Sequence, residues 1–360
     1  MKRRSLIRHA GLAGVLAAGV APSVHAQATV RWRLASSFPK SLDTLWGFSE
    51  TLSRKVSEMS GGKFQISAHP AGELVPAFGV VDVVQNGSID LTHTAPYYFT
   101  GKNTAFALAS GIPFGFNARQ MSAWMSHGNG RKLMNEFFSA YNMISFDGSH
   151  TGTQMGGWYR KPIKSVDDFK GLKIRLGGGL VGEIMSKLGA VPQSIPGGEI
   201  YVSLEKGTLD AVEWIGPYDD LKLGFHKVAP YYYYPGWWEG DAAGAVLVND
   251  KAWAGLPAEY KAMFETACGY ASKEGLAKYD ALNPGALKQL AAAKAQILPF
   301  PQPVLEAGYK ATMEVYDELN AKNPEWRKIY ADMRAFQRDQ VLWFRFAEGR
   351  YDQFMATRKL

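Results

Sequence analysis

Apolar positions recur along this chain in two rhythms that take turns. Val30-Arg31-Trp32-Arg33-Leu34-Ala35 alternates apolar and basic side chains, the period of a strand with one buried face. Residues 42–59 repeat their apolar positions at helical spacing and stop at Gly61-Gly62, where glycine tolerates the left-handed cap conformation. A strand over 64–68 follows, then a helix over about 77–85 that ends at Asn86-Gly87, then the strand Ser88-Ile89-Asp90-Leu91-Thr92. The same device returns later as a helix through 202–206, Gly207, and Thr208-Leu209-Asp210-Ala211. Gly-Ser-Ile-Asp and Gly-Thr-Leu-Asp read as counterparts in two similar lobes.

Strand and helix signals keep alternating through 143–146, 172–176, 181–188 and 245–248, the pattern of βαβ units rather than of a sandwich. The fold class expected is α/β, with two open lobes and a cleft between them. From about residue 257 the chain reads as mostly helical, punctuated by Pro284, Pro299, Pro301, Pro303 and Pro324. Its last stretch, 330–357, carries Met333, Phe336, Val341, Leu342, Trp343, Phe344, Phe346, Tyr351 and Phe354, apolar around most of a helix. Such a helix must be covered on several sides, by its own lobes or by a second subunit.

Two charges interrupt the apolar strands. Arg175 closes Lys173-Ile174-Arg175-Leu176 and Glu213 follows Asp210-Ala211-Val212, with glycine soon after each. In open α/β sheets small molecules bind outside the carboxyl ends of strands, where side chains converge on a crevice. The plainer alternative is that alternation turns both charges to solvent, and the two segments alone leave it open.

Residues 1–26 hold Lys2, Arg3, Arg4 and Arg8, a weakly apolar stretch, then Val24-His25-Ala26, the layout of an export signal. Lys2-Arg3-Arg4-Ser5-Leu6-Ile7 fits a twin-arginine signal, with an ordinary secretory signal as the alternative. Export places the protein in a bacterial-type periplasm. No later stretch approaches the ~18 uninterrupted apolar residues of a membrane helix. Without these 26 residues the chain keeps 36 of its 40 basic residues against 33 acidic ones, a net charge of +3. That offers no basic stripe for nucleic acid. The only cysteine, Cys268, excludes an internal disulfide and a thiolate metal site and reads as a small buried residue.

Gly-x-Ser-x-Gly, His-Glu-x-x-His and Cys-x-x-Cys are all absent, and the seven histidines are scattered. Enzymatic function therefore starts with little support. Gly177-Gly178-Gly179-Leu180-Val181-Gly182 formally matches a dinucleotide fingerprint, but it lies mid-chain and in an exported protein. Close approach of backbone to a ligand explains it more simply. Arg175, just before it, suits a carboxylate, because a guanidinium gives two parallel hydrogen bonds. Glu239 ends the aromatic run Tyr231-Tyr232-Tyr233-Tyr234-Pro235-Gly236-Trp237-Trp238 and needs a positive partner. Glu213, Glu239, an amide such as Gln154 and a backbone carbonyl would form an all-oxygen shell, suited to Na⁺ or Ca²⁺ rather than Zn²⁺. The aromatics read mainly as packing, with a sugar-stacking platform at Trp237 and Trp238 as the sharper alternative.

These residues together resemble the DctP-type extracytoplasmic solute receptors of TRAP transporters. The markers are Val166-Asp167-Asp168-Phe169-Lys170-Gly171-Leu172-Lys173-Ile174-Arg175 and the two Gly-x-x-Asp turns. The likeness is nearest to the alpha-keto acid-binding subgroup. It runs through His93-Thr94-Ala95-Pro96-Tyr97-Tyr98, Gln154-Met155-Gly156-Gly157-Trp158, Pro196-Gly197-Gly198-Glu199-Ile200 and Glu213-Trp214-Ile215-Gly216-Pro217-Tyr218. Pro96 stands where a small residue is more usual and would reshape that wall.

The resemblance implies a two-lobed periplasmic binding protein that closes on a small organic anion and delivers it to a membrane permease pair, with no chemistry of its own. By that likeness Arg175 would hold the ligand carboxylate. Gln154, Glu213, the Trp214 carbonyl and Glu239 would ligate a cation bridging to the carboxylate and 2-oxo oxygens. Tyr97, Tyr98 and Trp158 would wall the pocket. The first lobe is expected over 27–150 plus about 243–290, the second over 151–242, and helices over about 291–360. The last of these would cover the lobes or be exchanged in a homodimer. The expected ligand is a 2-oxo or 2-hydroxy monocarboxylate. The rivals are a metal-dependent periplasmic enzyme using Glu213 or Glu239 as base, and a carbohydrate receptor.

Overall fold

The computed structural model describes residues 29–358, so the expected export signal lies outside the described residues. Its strands are β1 (Val30–Ser36), β2 (Phe64–His69), β3 (Leu91–Thr94), β4 (Met143–His150), β5 (Trp158–Tyr159) and β6 (Lys173–Arg175), followed by β7 (Val191–Gln193), β8 (Ala211–Val212), β9 (Tyr231–Tyr234), β10 (Ala243–Asn249) and β11 (Gln296–Pro299). They form two sheets, ordered β2-β1-β3-β10-β4 and β11-β9-β5-β8-β6-β7. Within the first, β1 runs parallel to β2 and β3, and β10 runs antiparallel between β3 and β4. The second pairs β6 parallel with both β7 and β8.

Strand alternation separates the two faces of the first sheet. Leu34, Val246 and Val248 join Trp32, Phe64 and Phe264 in one apolar cluster, while their neighbours Ala35, Ala245 and Leu247 join a second that runs on into the other lobe. Each lobe is therefore an open α/β sheet with its own buried face.

The chain passes from one sheet to the other between β4 and β5 and returns between β9 and β10. A helix, Ala258–Ala292, spans the whole assembly: Phe264 packs on Trp32 of the first lobe, and the Tyr279 hydroxyl donates to Asp219 at 2.7 Å. Pro284 lies inside this helix and does not end it, unlike the stop expected from sequence. A proline removes one backbone bond, and packing along a helix of this length outweighs that loss. The C-terminal part is not purely helical either, since β11 adds an edge strand parallel to β9. Beyond it lie helices Gln302–Lys322, Pro324–Phe346 and Glu348–Met355. The last stretch is thus two helices that break at Ala347. Trp326, Ile329, Tyr330 and Met333 are buried, whereas Trp343, Phe346 and Tyr351 are mostly exposed.

Candidate functional site

Two strand ends and two interlobe crossovers converge at the cleft. Arg175 is the last residue of β6 and pairs with Val212 of β8, so Glu213 emerges beside it, its backbone N–H donating to the Arg175 carbonyl at 3.0 Å. Gln154 lies in the outgoing crossover and Glu239 in the returning one. The two are tied by Gln154 N–H to the Glu239 carbonyl at 3.2 Å and Gly236 N–H to the Gln154 carbonyl at 3.0 Å.

Arg175 is 1% exposed, which excludes the solvent-facing alternative. Its Nε donates to the Ile195 carbonyl at 3.0 Å and its Nη1 to the Glu213 carbonyl at 2.7 Å, with Glu213 Oε2 3.6 Å away. The guanidinium sits 4.7 Å from the centre of the Trp214 ring. Stacking and the two carbonyl bonds fix the plane of the fork.

Glu213 and Glu239 are buried on either side of Gly177. Gly177 N–H donates to Glu213 Oε2 at 3.2 Å, and Tyr97 OH donates to Glu239 Oε2 at 3.5 Å. Burial pushes the Glu213 carboxyl up to about 8, against the pull of Arg175. Burial and the neighbouring Glu213 push Glu239 well above the usual carboxylate range. One arginine serves two glutamates here, so the site is short of positive charge.

Three buried polar atoms also lack partners. Glu213 Oε1 and Gln154 Oε1 are buried without a hydrogen bond among the described residues, and so is Trp214 Nε1. Orphaned buried acceptors beside paired carboxylates are what a cation would satisfy. The atoms that could ligate a cation are all oxygens, and the described residues contain no cluster of three or more His, Cys, Asp or Glu arranged for a metal. A hard cation such as Na⁺ or Ca²⁺ fits this set and Zn²⁺ does not.

The cavity above these groups is small, about 20 Å³, and is shared by both lobes. Phe38, Leu45, Ala95, Tyr97, Tyr98 and Ser149 wall it on one side, and Arg175, Trp214 and Ile215 on the other. Burial pushes the Tyr98 hydroxyl up to about 12, so it stays protonated beside Arg175. A larger cavity, about 260 Å³, lies within the first lobe beside His150 and Ser272 and includes neither Arg175 nor the glutamates.

A family model described as bacterial extracellular solute-binding protein, family 7, matches residues 35–323. The chain belongs to this family. A monocarboxylate 2-oxoacid-binding periplasmic protein of Nostoc is 43% identical to this solute-binding protein, over 99% of this chain and 100% of its own. Among solved structures, a TRAP transporter solute-binding protein of Bordetella bronchiseptica is 50% identical, with TM-score 0.90 over 91% of this chain and 98% of its own. It is a mixed-occupancy dimer with copurified calcium and picolinate. One from Pseudoalteromonas atlantica, with bound sodium and pyruvate, is 37% identical, with TM-score 0.88 over 92% of this chain and 100% of its own. The two-lobed fold expected from sequence is that of these proteins.

Arg175, Trp214, Tyr97 and Tyr98 line the cavity of this solute-binding protein, and Gln154, Glu213 and Glu239 adjoin it. Trp158 does not line it. It lies in the core of the second lobe, stacked on Tyr232 at 3.9 Å with its Nε1 donating to Asp220. Trp237 and Trp238 are likewise buried, Trp237 stacked on Phe114, and offer no sugar platform. The glycine loop lets the other lobe approach. A Cβ on Gly177 would stand 3.1 Å from Tyr97 OH, and one on Gly178 3.2 Å from the Tyr97 ring. Ser149 was not singled out from the sequence, because its place in the cavity depends on pairings between distant strands.

Proposed function

We propose that this protein is the extracytoplasmic receptor of a TRAP transporter and captures a 2-oxo or 2-hydroxy monocarboxylate together with Na⁺ or Ca²⁺. The observation that carries the reading is the buried arginine beside two buried glutamates, with orphaned oxygen acceptors on Glu213 and Gln154, in a cleft shared by both lobes. Arg175 clamps the ligand carboxylate with the face of its guanidinium held against Trp214. Gln154, Glu213, the Trp214 carbonyl and Glu239 would hold the cation, which supplies positive charge to the ligand oxygens.

The acid and its cation link the two lobes, so binding favours the closed arrangement over the open one. The crossovers 151–157 and 235–242 are the hinges. The ligand is passed on unaltered to a membrane permease. The exposed apolar positions Val341, Leu342, Trp343 and Phe346 are covered by a second copy of the chain in a homodimer. Native mass spectrometry of the purified protein tests the reading. A dimer whose excess mass equals one cation and one small acid per chain is expected. A bare protein that gains no mass with pyruvate, lactate or longer 2-oxo acids would contradict it.

A further inference from the structure

The imidazole of His93 has no part in the groups assigned so far. It lies on β3, fully buried, with the rings of Phe38 and Phe48 at 5.1 and 4.3 Å. Each of its nitrogens meets one serine: Nδ1 stands 3.2 Å from Ser49 Oγ and Nε2 stands 2.9 Å from Ser149 Oγ. Burial pushes its pKa down to about 3, so the ring is neutral and carries a single proton.

Hydrogen-bond balance says which nitrogen holds that proton. Ser49 is fully buried, and among the described residues its hydroxyl meets no group other than Nδ1. A proton on Nδ1 would leave the Ser49 O–H stranded in an apolar interior. Ser49 therefore donates to Nδ1, and Nε2–H donates to Ser149 Oγ. Having accepted from the ring, the Ser149 hydroxyl keeps its own proton for another acceptor. Ser149 is 2% exposed and lines the interlobe cavity. On that wall Phe38, Leu45 and Ala95 offer no side-chain donor, the Tyr97 hydroxyl is turned to Glu239, and Tyr98 is the other hydroxyl. Gly244 leaves room for the pair, since a Cβ there would stand 2.5 Å from Ser149 Oγ and 3.0 Å from His93 Nε2.

We infer that Ser149 is a ligand-binding residue, whose hydroxyl donates a hydrogen bond to an oxygen of the bound acid from the lobe opposite Arg175. Ser49 and His93 are positioning residues that fix its proton toward the cleft without touching the ligand. The inference rests on the reading of the cleft as a site for a 2-oxo or 2-hydroxy acid. It gives closure a direct reward, because the acid then bonds a fixed donor on each lobe.

Calorimetric titration of the full protein with pyruvate in calcium tests it. S149A should weaken pyruvate roughly tenfold or more, the range for a hydrogen bond to a charged acceptor. S49A, behind the ring, should weaken it about threefold or more. The double variant should bind no more weakly than S149A alone, because both substitutions act through one hydroxyl. Unchanged affinity in S149A, or full additivity in the double variant, overturns the inference. Nitrogen NMR of the His93 ring in the wild-type protein gives a readout independent of variant folding. A proton on Nε2 supports the relay and a proton on Nδ1 overturns it. Wild-type protein that binds no 2-oxo or 2-hydroxy acid overturns the functional reading and this inference together, whereas wild-type binding with an indifferent S149A overturns the inference alone.

Discussion

Gly87 and Gly207 share a backbone φ of +76°, and the two lobes match residue for residue around them. Gly87 N–H bonds the Val84 carbonyl and Gly207 N–H the Leu204 carbonyl. Ile89 N–H reaches back to Val83, and Leu209 N–H reaches back to Ser203. Asp90 Oδ2 accepts from Arg33 N–H at 2.7 Å, and Asp210 Oδ2 accepts from Lys173 N–H at 3.0 Å. Each aspartate thereby pins the parallel partner strand just before the pairing begins, with Leu34 opposite Leu91 in one lobe and Ile174 opposite Ala211 in the other.

Three residues past each aspartate the lobes diverge. The first lobe puts His93 there, a neutral ring, and the second puts Glu213, a buried carboxyl short of positive charge. On the partner strands Ala35 occupies the place that Arg175 takes in the second lobe. The Gly-x-x-Asp turn is thus a scaffold that fixes strand register, while the chemistry lies in the two positions where its copies differ. On the proposed function, one lobe would supply the ionic contacts and the other mainly shape.

Arg175→Lys attacks that difference most severely. It keeps the charge but loses the fork, and a loss of about 2 kcal/mol or more in pyruvate affinity, roughly thirtyfold, is expected by calorimetry. Unchanged affinity would reduce Arg175 to a structural residue tying Ile195 to Glu213. Glu239→Gln comes next. Removing one anionic donor should lower cation affinity at least about tenfold, with ligand affinity following it. A variant that keeps both would show that the cation lies elsewhere.

Smaller effects follow from titration. Burial raises the carboxyls of Glu213 to about 8, Asp220 to about 7 and Asp219 to about 6. A carboxyl raised on folding stabilises below its unfolded value, and that contribution is lost as pH rises through its folded value. The cation-free protein should therefore lose thermal stability between pH 5 and pH 8, and saturating calcium should offset the share due to Glu213. A melting temperature that climbs over this range without cation would contradict the burial of these groups. The smallest effects concern the shared turn. Gly87→Ala and Gly207→Ala should each cost about 1 kcal/mol in denaturant melts and leave pyruvate affinity within about twofold. A large loss of binding from either would make the turn part of the site.

Much of this was legible in the sequence where a local rule applied. Arg175 and Glu213 stood out because a charge at a strand end followed by glycine is a local signal, and the two turns share the pattern Gly-x-x-Asp. Gln154 and Glu239 sit in aperiodic crossovers: residue chemistry named them as oxygen ligands for a cation, and only the family resemblance brought them into one pocket with Arg175. Trp158 was put on the pocket wall by the resemblance alone, since a strand of two residues gives alternation nothing to correct it with, and β11 was missed for being four residues long with a terminal proline. The pair of Ser49 and Ser149 about His93 joins β4 to a distant helix, and no sequence period reports such a contact.

The dependence of ligand binding on a cation tests the central claim most directly. The wild-type protein should be titrated with pyruvate in calcium and again in a sodium-free buffer with chelator. One saturable site per chain in calcium, with affinity lost or greatly weakened on cation removal, is the expected result. Equal affinity in both buffers, or no binding of any 2-oxo or 2-hydroxy acid in either, would contradict it.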